Sequence, residues 1–160
     1  MYLILLRHAE KAISFENDPG LTPAGQQQAL QLPEKLIGQA WPRPMKLQTS
    51  PKRRTHETLA PLAKSLDQKI VEVADLDERG PQETRDAFRN RLRELLLNFE
   101  ENPVACAIWC THMDCLEEIS LLLNREVDLA QDPFAFWAPA QYVVLKIQDL
   151  WEVVEFGRPL

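Results

Sequence analysis

Arg7 and His8 stand at the end of an unbroken apolar run, Tyr2 to Leu6, with Glu10 just beyond. A second apolar run, Val104 to Cys110, ends the same way in Thr111 and His112. Between them, Met45 to Thr49 leads into Ser50-Pro51 and then Arg53 and Arg54. Short continuous apolar runs read as strands buried on both faces of a parallel sheet. In open α/β sheets, ligands bind just beyond the carboxyl ends of such strands. Taken alone, Arg7 and His8 read equally well as a charged strand end turned to solvent. With three parallel strands, however, one sheet edge gathers arginines, two histidines and an acid from the loop Asp75 to Glu83. Guanidinium forks match tetrahedral oxyanions, and the helix N-termini that follow each strand add backbone N–H groups. Such a set can hold a phosphoryl group against a nucleophilic imidazole.

The intervening chain supplies elements to position these groups. Asn17-Asp18-Pro19-Gly20 is turn chemistry, and Thr22-Pro23 is an N-cap with proline at the first helical position. Ala24 to Gln39 reads as a helix that Pro33 should kink or divide. Trp41 to Pro44 is a loop, and Lys52 to Leu66 is a helix opening just past a strand. Ile70 to Val73 is a third strand, and Asp75 to Gln82 is an acidic loop. Glu83 to Phe99 is a helix with Phe88, Leu92, Leu95, Leu96 and Phe99 as its apolar stripe. Met113 to Leu123 is the last helix, and Asp128 to Pro139 is a loop rich in proline and aromatics. Tyr142 to Ile147 is a strand, with Trp151 to Phe156 as its hairpin partner or an edge strand. Strands alternating with helices predict a three-layer α/β/α architecture with a mostly parallel central sheet, in one domain spanning residues 1–160.

Composition bounds the function. The 160 residues are 45% hydrophobic and 26% charged, ordinary for a soluble globular chain. A net charge of −6 argues against nucleic-acid binding driven by overall charge. No apolar run approaches the ~20 residues of a membrane span. The start lacks signal-peptide character, so the cytoplasm is the expected location. Cys106, Cys110 and Cys115 are odd in number, and with His112 they match no common zinc spacing, so they read as buried free thiols.

Together these segments resemble the histidine phosphatase superfamily, the phosphoglycerate mutase-like clan. Arg7-His8-Ala9 stands where that family has R-H-G. Leu21 to Ala29 follows its L-T-x-x-G-x-x-Q-A, and Ser50 to Thr58 its S-P-x-x-R-A-x-Q-T. Thr111-His112 is the late strand followed by histidine, and Asp77-Glu78-Arg79-Gly80 looks like its N-E-R segment. The resemblance implies that His8 is the nucleophile and becomes phosphorylated. Arg7, Arg54 and His112 would hold the phosphoryl oxygens, with arginine charges depressing the pKa of His8. Glu78 would protonate the leaving group and then activate water, with Glu83 as the alternative acid. No metal or other cofactor is implied. Four positions depart from the pattern. Ala9 replaces a glycine, which is tolerable unless the backbone needs a positive φ. Met113-Asp114 replaces small residues and would narrow the pocket or repel a second anion. Glu57 replaces a glutamine and adds negative charge nearby.

The segment between Arg54 and His112 leaves no room for an inserted lid, which resembles the short phosphohistidine phosphatases of the clan. The expected activity is metal-independent hydrolysis of a phosphomonoester or a protein phosphohistidine. The alternatives are a small-metabolite phosphatase or mutase, and a catalytically silent phosphate-binding module. The expected partner is a phosphorylated small molecule or phosphoprotein, with neither nucleic acid nor membrane involved and the oligomeric state open. His56 is expected on the surface, and Phe134 to Trp137 either borders the site, forms a dimer contact or packs in the core.

Overall fold

The computed structural model describes residues 1–39, 41–123 and 127–158. Six strands form one sheet in the order β3-β2-β4-β1-β5-β6. They are β1 (Tyr2–Arg7), β2 (Met45–Thr49), β3 (Ile70–Glu72), β4 (Cys106–Thr111), β5 (Tyr142–Ile147) and β6 (Trp151–Gly157). Strands β3, β2, β4 and β1 run parallel, while β5 is antiparallel to β1 and β6 to β5. The sheet is therefore mostly parallel, and Trp151–Gly157 is both hairpin partner and edge. The two apolar runs, β1 and β4, are adjacent at its centre, with Arg7 in register with Thr111.

Helices cover both faces. On one face α1 (Pro23–Ile37) and α2 (Arg53–Leu66) bury Leu32, Leu36, Leu59 and Leu62 against Ile4, Leu6, Leu47 and Ile108. On the other, α3 (Arg85–Glu101) and α4 (Met113–Leu122) pack Phe88, Leu92, Leu96, Leu116 and Ile119 against Leu3, Leu5 and Trp109. Alternate residues of β1 thus serve opposite cores, which is why Tyr2 to Leu6 shows no polar alternation.

Pro33 does not divide α1. The buried stripe Ala29, Leu32 and Leu36 keeps the helix continuous past the amide that proline lacks. Helix α3 starts at Arg85, not Glu83, because the Thr84 hydroxyl caps the Ala87 N–H at 3.2 Å. Gly25, in the first turn of α1, is required by close approach: a Cβ there would lie 2.2 Å from the Glu10 carbonyl oxygen. That carbonyl accepts the Thr22 N–H at 3.0 Å, so the segment leaving His8 rests directly on α1.

Candidate active site

The carboxyl ends of β1, β2 and β4 bring Arg7, His8, Arg54 and His112 together. The backbone of His8 is held from both sides: its N–H donates to the Thr111 carbonyl at 3.0 Å, and its carbonyl accepts from Ala140 N–H at 3.1 Å. Ala9 N–H donates to Thr58 Oγ1 at 2.9 Å, and the same hydroxyl donates to the Arg54 carbonyl at 2.7 Å. One buried threonine on α2 therefore joins the segment carrying His8 to the turn carrying Arg54. Ala9 is fully buried and lies outside the left-handed region, so this backbone accommodates alanine in place of glycine.

His8 is 5% exposed, and its Nδ1 lies 2.7 Å from the Ala9 carbonyl oxygen. A carbonyl can only accept, so Nδ1 carries the proton and Nε2 keeps its lone pair. Burial, more than the neighbouring cations, pushes the imidazole down to about 4; Arg54, Arg7 and Lys11 add to the effect. The arginine charges expected to lower this pKa are thus secondary to desolvation. The side chain is neutral at physiological pH.

His112 is 3% exposed, and its ring centroid lies 5.3 Å from that of His8. Its Nδ1 is 3.2 Å from Arg54 Nη2 and its Nε2 is 2.8 Å from Ser50 Oγ. A guanidinium can only donate, so Nδ1 accepts and Nε2–H is directed at Ser50. Burial and then Arg54 hold this imidazole down at about 2. His112 thus orients Arg54.

Arg54 is buried, donates through Nη2 to Glu78 Oε2 at 2.8 Å, and places Nη1 3.6 Å from Asp18 Oδ1. Arg53 points outward to Glu57 and Glu16, as the spacing from Ser50-Pro51 implies. Arg7 Nη1 donates to the Trp137 carbonyl. The Nε atoms of both Arg7 and Arg54 are buried and lack a hydrogen-bond partner among the described residues. Buried donors left unpaired are costly. Both guanidiniums are close enough to act electrostatically on the His8 imidazole.

The two candidate acids separate clearly. Glu83 takes a two-pronged ion pair from Arg91 Nε and Nη2 at 2.9 and 2.8 Å, which holds its carboxyl below the usual range. Arg91 also donates to the Asp77 carbonyl at 3.1 Å, and Cys115 Sγ reaches the same oxygen at 3.1 Å. Asp114 Oδ2 accepts the Arg79 N–H at 2.9 Å. Glu83 and Asp114 thus anchor the loop, and Glu78 alone of the two acids reaches Arg54. The Asp114 carboxylate is engaged with Arg79 and Cys115 N–H groups. Glu57, expected to add charge at the pocket, is instead consumed by the Leu21 N–H at 2.7 Å and Arg53 Nε at 2.6 Å.

Two contributors carried no sequence signal. Residues 137–141 form a cradle beneath the site: Trp137 and Gln141 carbonyls take the side chain and amide of Arg7, and Ala140, at φ 56°, holds His8. The Trp137 indole itself packs in the core, whereas Phe136 is exposed. Asp18, read only as a turn residue, accepts the Arg53 N–H at 2.9 Å and faces Arg54. His56 pairs with Glu72 at 3.1 Å, outside the cluster. Cys106, Cys110 and Cys115 are buried free thiols with pKa values pushed up by desolvation. Among the described residues, no group of three or more His, Cys, Asp or Glu is arranged to hold a metal ion, and no helix is long and apolar enough to cross a membrane.

The model of the histidine phosphatase superfamily (branch 1) matches residues 3–108. No curated protein matches the chain. Among solved structures, SixA from Agrobacterium tumefaciens, a phosphohistidine phosphatase by its assigned name, aligns over 99% of this chain and 97% of its own at 19% identity, TM-score 0.76. A phosphoserine phosphatase from Entamoeba histolytica, solved with 3-phosphoglyceric acid, aligns over 98% and 96% at 17% identity, TM-score 0.73. A mycobacterial glucosyl-3-phosphoglycerate phosphatase aligns over 96% of each chain at 17% identity, TM-score 0.69. At these identities the likeness is one of fold.

Proposed function

The chain belongs to the histidine phosphatase superfamily, and we propose that it is a phosphatase that hydrolyses a phosphomonoester or a protein phosphohistidine in two displacements at His8. The observation that carries this reading is a pair of buried, unpaired guanidinium Nε–H groups beside an imidazole whose Nε2 lone pair is free. Arg7 and Arg54 take the phosphoryl oxygens, displacing Glu78 from Arg54. His8 Nε2 attacks phosphorus and the bond to the leaving group breaks. Glu78, as the general acid, gives its proton to the leaving atom. The resulting carboxylate then takes a proton from water. The water oxygen attacks phosphorus, the P–N bond breaks, and inorganic phosphate leaves with His8 restored. His112, kept neutral by burial and Arg54, positions Arg54 for a phosphoryl oxygen through its Nδ1. The charge stabilisation that metals supply in other phosphoryl transfers falls here to cationic side chains. Buried free thiols fit a reducing cytoplasmic setting.

Turnover of p-nitrophenyl phosphate, measured beside calorimetric titration with inorganic phosphate, tests the reading. Hydrolysis that inorganic phosphate inhibits competitively is expected. Phosphate binding with no turnover would instead make the chain a phosphate-binding module.

A further inference from the structure

Between Lys11 and Leu21, which pair as an isolated antiparallel bridge, the chain makes a projecting loop. Its two large apolar side chains, Ile13 and Phe15, have relative accessibilities of 103% and 111%. Single exposed apolar residues are ordinary, but two this bulky, this close and wholly uncovered mark a contact surface. The loop is also braced. Ala12 N–H donates to the Gly20 carbonyl at 2.8 Å, Asp18 accepts the Arg53 N–H, Glu16 lies 3.8 Å from Arg53 Nη1, and Glu57 holds the Leu21 amide. Four contacts, three of them to α2, order the loop before a partner arrives, so little ordering cost attaches to binding.

The loop rises from the mouth of the site. Lys11, at one root, is close enough to act on both imidazoles. Asp18, at the other, faces Arg54. Whatever covers Ile13 and Phe15 is therefore adjacent to the phosphoryl pocket.

We infer that Ile13 and Phe15 dock a protein substrate, seating an apolar patch beside its phosphorylated side chain while that side chain enters the pocket at His8. This rests on the phosphatase reading above. A small hydrophilic phosphate ester gains nothing from two side chains directed to solvent. An anionic membrane is disfavoured by Glu10, Glu16 and Asp18 around the loop and by the net charge of −6. The same acids call for a neutral or basic rim on the partner's patch.

The test is the double variant Ile13→Ser/Phe15→Ser, whose sites are exposed and do not threaten folding. Its substrates are p-nitrophenyl phosphate and a set of small proteins phosphorylated on histidine with phosphoramidate. On the proteins that the unaltered enzyme dephosphorylates, kcat/KM is expected to fall at least tenfold through KM. On p-nitrophenyl phosphate it is expected to stay within twofold. The inference is overturned if both substrates suffer equally, if the proteins are unaffected, or if the unaltered enzyme uses the small phosphate and none of the proteins. It is also overturned if Ile13 and Phe15 instead govern sedimentation with phosphatidylglycerol vesicles. Failure of the unaltered enzyme to turn over any phosphate would sink the phosphatase reading itself.

Discussion

Glu78 Oε2 lies 2.8 Å from Arg54 Nη2, so the candidate acid holds the guanidinium that a substrate oxyanion must take over. Glu83, five residues on, is committed to Arg91. General acid–base groups contribute about 10²- to 10⁴-fold in rate. Glu78→Gln is therefore expected to lower kcat by about 10²-fold or more, with the larger loss on substrates whose leaving groups need a proton. Glu83→Gln should leave kcat within a few-fold and instead lower the midpoint of unfolding. A steady-state comparison of the two variants, with thermal melts, checks the assignment; the reverse order would transfer the role to Glu83.

Thr58 is the buried joint between the His8 segment and α2. Thr58→Val keeps the shape but leaves the Ala9 N–H without its acceptor. A buried donor stranded in this way costs about 1–3 kcal/mol. Urea unfolding should show a loss of that size, and kcat should fall as well because His8 and Arg54 lose their common anchor. An unchanged denaturation midpoint would mean that this hydrogen bond contributes nothing.

How much of this could be read from residues alone follows from where each contact lies. Strand ends carry local signals: an apolar run that stops at Arg7-His8 or Thr111-His112 announces both the strand and its polar terminus. The Thr22 cap is equally local, and the choice of Arg54 over Arg53 comes from the resemblance of Ser50 to Thr58 to a family motif. Contacts closed over long sequence distances leave no such mark. Nothing in Phe134 to Ala140 announces that the Trp137 carbonyl takes the side chain of Arg7 or that Ala140 secures His8. Glu78 and Glu83 look alike in an acidic loop until Arg91, one helical face away, claims the second. Asp18 reads as a turn former because Asp favours turns, and its reach to the α2 N-terminus comes only from the fold. The division of α1 at Pro33 and the helix start at Glu83 are not seen for a related reason: tertiary packing and a threonine cap outweigh the proline and charge signals.

Acid should act on both activity and stability. His8 titrates near 4 and His112 near 2 in the folded chain, against an ordinary 6.5. Both folded-state values are depressed, so below pH 6.5 the unfolded chain binds protons that the folded one refuses. Stability is then full above about pH 6.5 and falls as pH drops toward 4, by up to about 1.4 kcal/mol per pH unit for each histidine. For the same reason the acid limb of kcat/KM attributable to His8 should lie near 4 rather than 6.5. Denaturant midpoints and pH–rate profiles between pH 4 and 8 report the two effects; an acid limb at 6.5 would mean that burial does not set the pKa of His8.

Gly25→Ala tests the contact beneath the site. The added methyl would meet the Glu10 carbonyl, which is backbone and cannot swing aside. Overpacking of this kind costs about 1–3 kcal/mol. Displacing Glu10 also shifts Ala9 and His8, so a fall in kcat should accompany the lower melting temperature. A variant with unaltered melting temperature and rate would show that α1 does not brace the His8 segment.

The central claim is that His8 Nε2 receives the phosphoryl group. Rapid mixing with a ³²P-labelled aryl phosphate, followed by denaturing quench, should trap about one equivalent of label per chain. That label should be lost in acid, stable in base, absent from His8→Ala and assigned to His8 by peptide mapping. Steady turnover by His8→Ala at the unaltered rate, or label residing on any other residue, would contradict the account.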